Sequence, residues 1–298
     1  MSEDKAQYGI LVGIDGSPES EAAIRWATIE AIMRDQNLTL MHAIPPLRVN
    51  WPAAYLESSF AEWQEANAHE VIQKAEKTVQ AAVGESPAPM VHTEIRHIDS
   101  VSALVIASRD AYMTVVGSRG MGAVGRAVLG SVSSGLVHHG HGPIAVIHGD
   151  EAKSPGPGSP VLLGVDGSSS SEDATAVAFD EASRRGVDLV ALHAWSDVGV
   201  FPALGMDWRQ YEDEGHEALA ERLAGWQEQY PDVHVQRRIV CDQPARWLVD
   251  ESRHAQLVVV GSHGRGGFSG MLVGSVSSKV AQAAKAPVIV VRARQNTK

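Results

Sequence analysis

The sequence predicts an α/β protein of two tandem domains, each a parallel sheet with helices on both faces, and three observations carry that prediction. The chain has 298 residues, about twice the usual length of one domain. Its two halves repeat one another. Within each half, short apolar runs alternate with helical patterns, the order that right-handed crossovers build into a parallel sheet.

The repeat is found by direct matching. Gly13, Ile14, Asp15, Gly16 and Ser17 return as Gly164, Val165, Asp166, Gly167 and Ser168, and Leu40, Met41, His42 and Ala43 return as Ala191, Leu192, His193 and Ala194, both 151 positions on. Later blocks return 144 positions on: Val115 to Gly120 as Val259 to Gly264, and Leu129 to Ser134 as Val273 to Ser278. The second copy is therefore seven residues shorter in its middle. A period near 150 residues is a whole domain, far beyond a solenoid repeat. Residues 150–160 hold Pro155, Gly156, Pro157, Gly158 and Pro160, which continue neither helix nor central strand. That segment reads as the linker between a domain at 1–149 and a second at 161–298.

The elements follow in order. Ile10 to Ile14 is an apolar strand, and Ser17, Pro18 and Glu19 then supply an N-cap, a first-turn proline and an early acid for a helix. In the second copy, Ser169 and Glu172 have the spacing of a capping box, with Ala174, Ala178 and Ala182 continuing at helical intervals. Leu38 to Ile44 is the second strand. A long helix over Ser58 to Val83 offers Phe60, Trp63, Val71, Ile72, Ala75 and Val79 for burial, and its counterpart offers Leu219, Leu223 and Trp226. Val91 to His97 is strand three, Val101 to Asp110 a short helix, Met113 to Gly117 strand four, Ser131 to His141 a helix and Ile144 to Ile147 strand five. Such continuous apolar runs suit strands buried on both faces. The terminal runs, Ile144 to Ile147 and Val288 to Val291, are candidate edges for pairing.

Charge and composition exclude several classes. With 25 Lys and Arg against 36 Asp and Glu the net charge is -11, which opposes nucleic acid and anionic membranes as partners. The only cysteine, Cys241, has no intrachain partner and only Asp242 as an ionisable neighbour, and no apolar run approaches the ~20 residues of a membrane span. The polar N-terminus lacks a signal peptide's pattern. These features point to a reducing, cytoplasmic setting.

The chemistry-bearing pattern lies where strand order should reverse, beyond the ends of strands one and four. Asp15 closes the first; Gly117, Ser118, Arg119 and Gly120 close the second. Nine residues later come Gly130 and Ser131, and the whole pattern recurs as Asp166, Gly261, Gly264, Gly274 and Ser275. Glycines let backbone N–H groups approach phosphate oxygens, and a helix opening at the serine adds its positive dipole end. The aspartates are acceptors, suited to donors on a base or sugar. One copy of such a loop reads equally as a set of tight turns, with Asp15 capping its own; recurrence at fixed spacing in two otherwise different copies favours a nucleotide site.

At these residues the chain resembles the universal stress protein family in its tandem form, over nearly its whole length. The resemblance implies Rossmann-like (adenine nucleotide alpha hydrolase-like) domains with five parallel strands in the order 3-2-1-4-5. It further implies ATP in each domain, bound with Mg²⁺ or Mn²⁺ through its phosphates, and pairing as a homodimer or as an intramolecular pseudo-dimer. The residues it assigns in the first half are Gly13, Asp15, Ala43, Gly117, Ser118, Arg119, Gly120, Met121, Gly122, Ala123, Gly130, Ser131 and Val132. In the second half they are Gly164, Asp166, Ala194, Asp197, Gly261, Ser262, His263, Gly264, Arg265, Gly266, Gly267, Gly274, Ser275, Val276 and Ser277. A departure appears before the third helix, where Asp99, Ser100 and Val101 stand against Asp242, Gln243 and Pro244.

No P-loop lysine, H-E-x-x-H or G-x-S-x-G occurs, so no conventional catalytic residue is assigned. Arg119, Arg126 and Arg265 read mostly as solvated. His138, His139 and His141 do not recur and suit a helix C-terminus better than a metal; His42 and His193 recur inside apolar strands and read as satisfied core residues. A nucleotide-dependent regulator of stress or growth arrest is the favoured function. A slow ATP hydrolase or phosphate-transfer enzyme is the alternative, and a structural protein with relic loops the third.

Overall fold

The computed structural model describes residues 7–46, 57–121, 129–149, 156, 158–194, 208–264 and 273–292. The chain divides into two compact units with the break after Gly149. The first unit runs β1 (Ile10–Gly13), α1 (Pro18–Met33), β2 (Leu38–Ala43), α2 (Glu57–Val83), β3 (Val91–Arg96), α3 (Ser100–Ala107, extended by a 3₁₀ turn over Ser108–Asp110), β4 (Met113–Gly117), α4 (Ser131–His139) and β5 (Pro143–Ile147). The second repeats it as β6 (Val161–Val165), α5 (Ser169–Arg185), β7 (Leu189–Ala194), α6 (Trp208–Gln229), β8 (Val235–Val240), α7 (Pro244–Glu251), β9 (Leu257–Gly261), α8 (Ser275–Ala283) and β10 (Val288–Val291).

Within the first unit the strands lie in the order β3-β2-β1-β4-β5, all parallel. Within the second they lie β8-β7-β6-β9-β10, again all parallel, which is the same order. The central strands are buried on both faces: Ile10, Leu11 and Val12, and likewise Leu257, Val258 and Val259, are fully inaccessible. Continuous apolar runs were the right signal because helices cover both sides of a parallel sheet.

The seven-residue difference between the copies is localised. Helix α2 has 27 residues and α6 has 22, and the connection after the helix has seven residues in the first unit and five in the second. The length of α2 also explains a correction. Phe60 and Trp63, expected on its buried face, are 40% and 59% exposed and rest against each other at 5.4 Å between ring centroids. A 27-residue helix is about 40 Å long, whereas the longest strand beneath it spans about 20 Å, so its first turns overrun the sheet. From Phe60 onward, the first buried residue is Ala68, followed by Ile72, Ala75 and Val79.

Two further expectations are corrected. The N-cap of α5 is Ser168, whose Oγ accepts from Ser171 N at 3.2 Å, so the Ser169–Glu172 box does not form; Ser168 holds the place of Ser17, which caps α1 through Ser20 N at 3.2 Å. Before the third helix the true pairing is also one residue different. Asp99 caps α3 and Gln243 precedes α7, while Gly13 faces Leu104 and Gly164 faces Leu248. Asp99 therefore matches Gln243, and Ser100 matches Pro244.

Each first helix also carries a buried ion pair that pattern reading missed. Arg34 Nε donates to Glu30 at 3.1 Å and Arg185 Nε donates to Glu181 at 3.1 Å, with both glutamates fully inaccessible. Arg34 also donates to Tyr112 Oη at 2.8 Å and lies over its ring. Buried charges persist only when paired and hydrogen-bonded.

Candidate functional site

The first strand ends at Gly13, and the chain turns through Asp15, Gly16 and Ser17 into α1. Gly16 and its counterpart Gly167 have φ of +83° and +80°, a left-handed conformation that glycine adopts without steric cost. Asp15 Oδ1 accepts from Ser17 N at 3.0 Å and from Ser17 Oγ at 2.6 Å, and Asp166 Oδ1 accepts from Ser168 N at 2.9 Å. The aspartate thus does cap its own turn. It also reaches across the crevice, where Oδ2 accepts from Met121 N at 3.0 Å. An ionised carboxylate offers about four acceptor positions, so Asp15 keeps capacity on Oδ2 for a ligand.

Beneath this turn, His42 Nδ1 donates to Ile14 O at 2.8 Å and His193 Nδ1 to Val165 O at 2.6 Å. A carbonyl only accepts, so the proton is on Nδ1. The recurring histidines pin the second strand to the residue before each aspartate, in agreement with their reading as satisfied core groups.

The loop glycines have separate duties. A Cβ on Gly117 would lie 2.7 Å from the carbonyl carbon of Glu19, and one on Gly261 would lie 2.6 Å from Ser170 O; the first glycine lets the opening turn of α1 or α5 pack on the strand end. A Cβ on Gly120 would collide with Asp15 Oδ2, and one on Gly264 would stand 2.5 Å from Asp166 Oδ2. The second glycine lets the loop backbone approach the carboxylate. Gly130 N then donates to Ser118 O at 2.8 Å, and Gly274 N to Ser262 O at 2.7 Å, bringing the chain back. Ser133 Oγ adds a bond to Ser118 O at 2.9 Å, and Ser277 Oγ one to Gly261 O at 2.5 Å.

This return aims a helix start at the crevice. Helices α1, α3 and α5 are capped by the side chains of Ser17, Asp99 and Ser168. Helices α4 and α8 begin after Gly130 and Gly274 with no side-chain cap, leaving their first-turn N–H groups and positive dipole end available to an anion.

In the first unit these groups surround a cavity of about 500 Å³, within the usual range for small-molecule sites. Its wall brings together the expected Gly13, Asp15, Ala43, Gly117, Arg119, Gly120, Met121, Gly130, Ser131 and Val132. Ser118 instead lies buried beneath the loop. Ile14, Ser20, Met41, Ser100, Leu104, Val116, Leu129 and Ser133 also line it. Ser133 was signalled by its recurrence as Ser277, whereas the apolar residues were indistinguishable from core. Gly122, Ala123, Arg126, Asp197, Arg265, Gly266 and Gly267 lie outside the described residues.

Charge around the loop differs between the units. Arg119 is ion-paired with Glu19 at 2.8 Å and is only 28% exposed in its side chain, so it is not the solvated arginine expected. At the matching positions the second unit has His263 and Ser170, and there Ser168 Oγ donates to His263 O at 3.0 Å. Burial, with help from Asp242, pushes the Cys241 thiol above its ordinary value, opposite to a reactive thiolate. His138 Nδ1 bonds Ser134 O at 2.7 Å, and His141, beyond the end of α4, takes a bond from Arg109 Nε at 3.3 Å. The two therefore do not share a helix face. Among the described residues no three His, Cys, Asp or Glu side chains cluster as a metal site, and no helix is long and apolar enough to cross a membrane.

Known proteins match this architecture throughout. The chain is 56% identical over 294 residues to a universal stress protein of Mycolicibacterium smegmatis, covering 99% of this chain and 100% of that one. It is 52% identical over 293 residues to one of Mycobacterium tuberculosis, covering 98% and 99%. Among solved structures, a universal stress protein of Archaeoglobus fulgidus superposes with a TM-score of 0.69 at 19% identity, over 97% of this chain and 99% of that one. The sequence profile of the universal stress protein family matches residues 9–148 and again residues 159–292, and the chain belongs to that family, with its domain present twice.

Proposed function

We propose that each unit binds one ATP and that the protein acts as a nucleotide-dependent regulator in stress or growth arrest. One observation carries this reading: an uncapped helix start and a glycine loop converge on a cavity of about 500 Å³ that the strand-one aspartate also lines. The phosphates lie against Gly120, Gly130, Ser131 and Val132, where backbone N–H groups and the α4 dipole offset negative charge without a lysine. The nucleoside lies toward Asp15 and the end of β2 at Ala43, among Ile14, Met41 and Leu104. Asp166, Gly264, Gly274, Ser275 and Val276 take these parts in the second unit. A divalent cation, Mg²⁺ or Mn²⁺, rides on the phosphates.

Regulation is favoured over turnover because the described wall holds no lysine, and the acceptors of Asp15 are largely taken by Ser17 and Met121. Bound ATP would instead stabilise a conformation that other proteins read, in the soluble interior of the cell. Denaturing the purified protein and identifying the released nucleotide by chromatography tests this, with an expected yield approaching two adenine nucleotides per chain. No nucleotide, together with no thermal shift on adding Mg-ATP, defeats the binding claim. Hydrolysis faster than roughly 1 s⁻¹ defeats the regulatory one.

A further inference from the structure

We infer that Ser100 is a specificity-determining residue of the first unit, hydrogen-bonding the nucleoside part of the nucleotide, and that the second unit lacks this contact. The inference rests on the proposed nucleotide site and adds a residue to it.

Ser100 lines the cavity as the first residue of α3, the helix that packs against β2 and whose Leu104 faces Gly13. The cavity is also lined by the apolar Met41, Ala43 and Leu104, and the Ser100 hydroxyl adds a polar group to residues otherwise suited to a flat base and a sugar. The hydroxyl is not spent on the helix: Asp99 caps α3 through Ser102 N at 2.9 Å. A serine hydroxyl both donates and accepts, and therefore fits a ribose hydroxyl or a base edge. The phosphates are served elsewhere, by the loop and by α4.

The corrected pairing of the two copies makes the contact unique to one unit. Gly13 faces Leu104 as Gly164 faces Leu248, which puts Pro244 in the place of Ser100. Proline has no hydroxyl and no backbone N–H. The second unit offers the nucleoside an apolar ring there, so the two sites differ in hydrogen-bonding capacity although their phosphate-facing residues are alike.

The test uses the full-length chain carrying Gly264→Val, so that calorimetry reads the first site. In that background, Ser100→Ala should weaken ATP binding about fivefold, the span of one neutral hydrogen bond, and leave inorganic tripolyphosphate binding unchanged. Ser100→Thr, which keeps the hydroxyl, should stay within about twofold of the parent. Ser100→Ala binding ATP as the parent does, or losing ATP and tripolyphosphate equally, overturns the inference while leaving the site itself standing. Failure of the parent to bind ATP overturns both.

Discussion

Thr114 shows how much one atom says about two copies of a domain. It lies in β4 with no exposure, and its Oγ1 has no hydrogen-bond partner. The matching residue of β9 is Val258, which has the same branched shape and no hydroxyl. A buried polar atom left unmade costs about 1–3 kcal/mol, so Thr114→Val should stabilise the protein by about 1 kcal/mol. The urea midpoint of the transition that includes the first unit should rise, and an unchanged or lower midpoint would show that the hydroxyl is satisfied. Asp15 makes the complementary point. Its type and place were legible because it recurs, and so was the cap it gives its own turn through Ser17; its bond from Met121 N was not, since that depends on how closely Gly120 brings the loop to it. Ser100 was visible as a departure and misread by one position, because loop residues carry no periodicity to fix their register.

At the scale of elements, local signals served well where chain chemistry is local. Strand four was expected at Met113 to Gly117 and is found there, and Ser17 with Pro18 marked the start of α1. They failed where a neighbour decides. Nothing in Phe60 or Trp63 tells that the sheet ends before α2 begins to pack, and nothing in Glu30 or Glu181 marks a charge destined for burial beside its arginine. Helix α3 gives a test of local chemistry on its own. Its cap holds the Asp99 carboxyl below its ordinary value, chiefly through the side-chain and backbone bonds to Ser102. A depressed carboxylate contributes stability that is present above its unfolded value, about 3.9, and lost as pH falls through the folded one. Asp99→Ala should therefore lower the melting temperature at pH 7, and the gap from the parent should close as pH falls below about 4. A gap that persists in acid would mean that the aspartate acts through packing.

For the molecule as a whole, duplication separates what both units need from what one has modified. Both keep the aspartate, the two loop glycines, the uncapped helix and the histidine beneath the turn. They differ at Arg119 and His263, Glu19 and Ser170, and Ser100 and Pro244. Two sites on one chain should be countable. With ATP at about 100 times its dissociation constant, linkage gives about 2.7 kcal/mol of stabilisation per site. Gly120→Val and Gly264→Val should each remove half of the bound nucleotide and one site's share of this shift, and the double variant should lose both. A shift that survives the double substitution would place the ligand elsewhere.

The two glycines at the ends of the short loop motif answer to different demands. Gly117 and Gly261 are held by the packing of a helix on a strand, which every folded copy requires, whereas Gly120 and Gly264 are held by the approach of a loop to a carboxylate, which matters where something binds. Released from its ligand, a descendant of either unit would be free to change the second glycine and would be obliged to keep the first. On the proposed function the second glycine is therefore the informative letter of the motif, and a copy that retained only the first would keep the architecture without the close approach of loop to carboxylate.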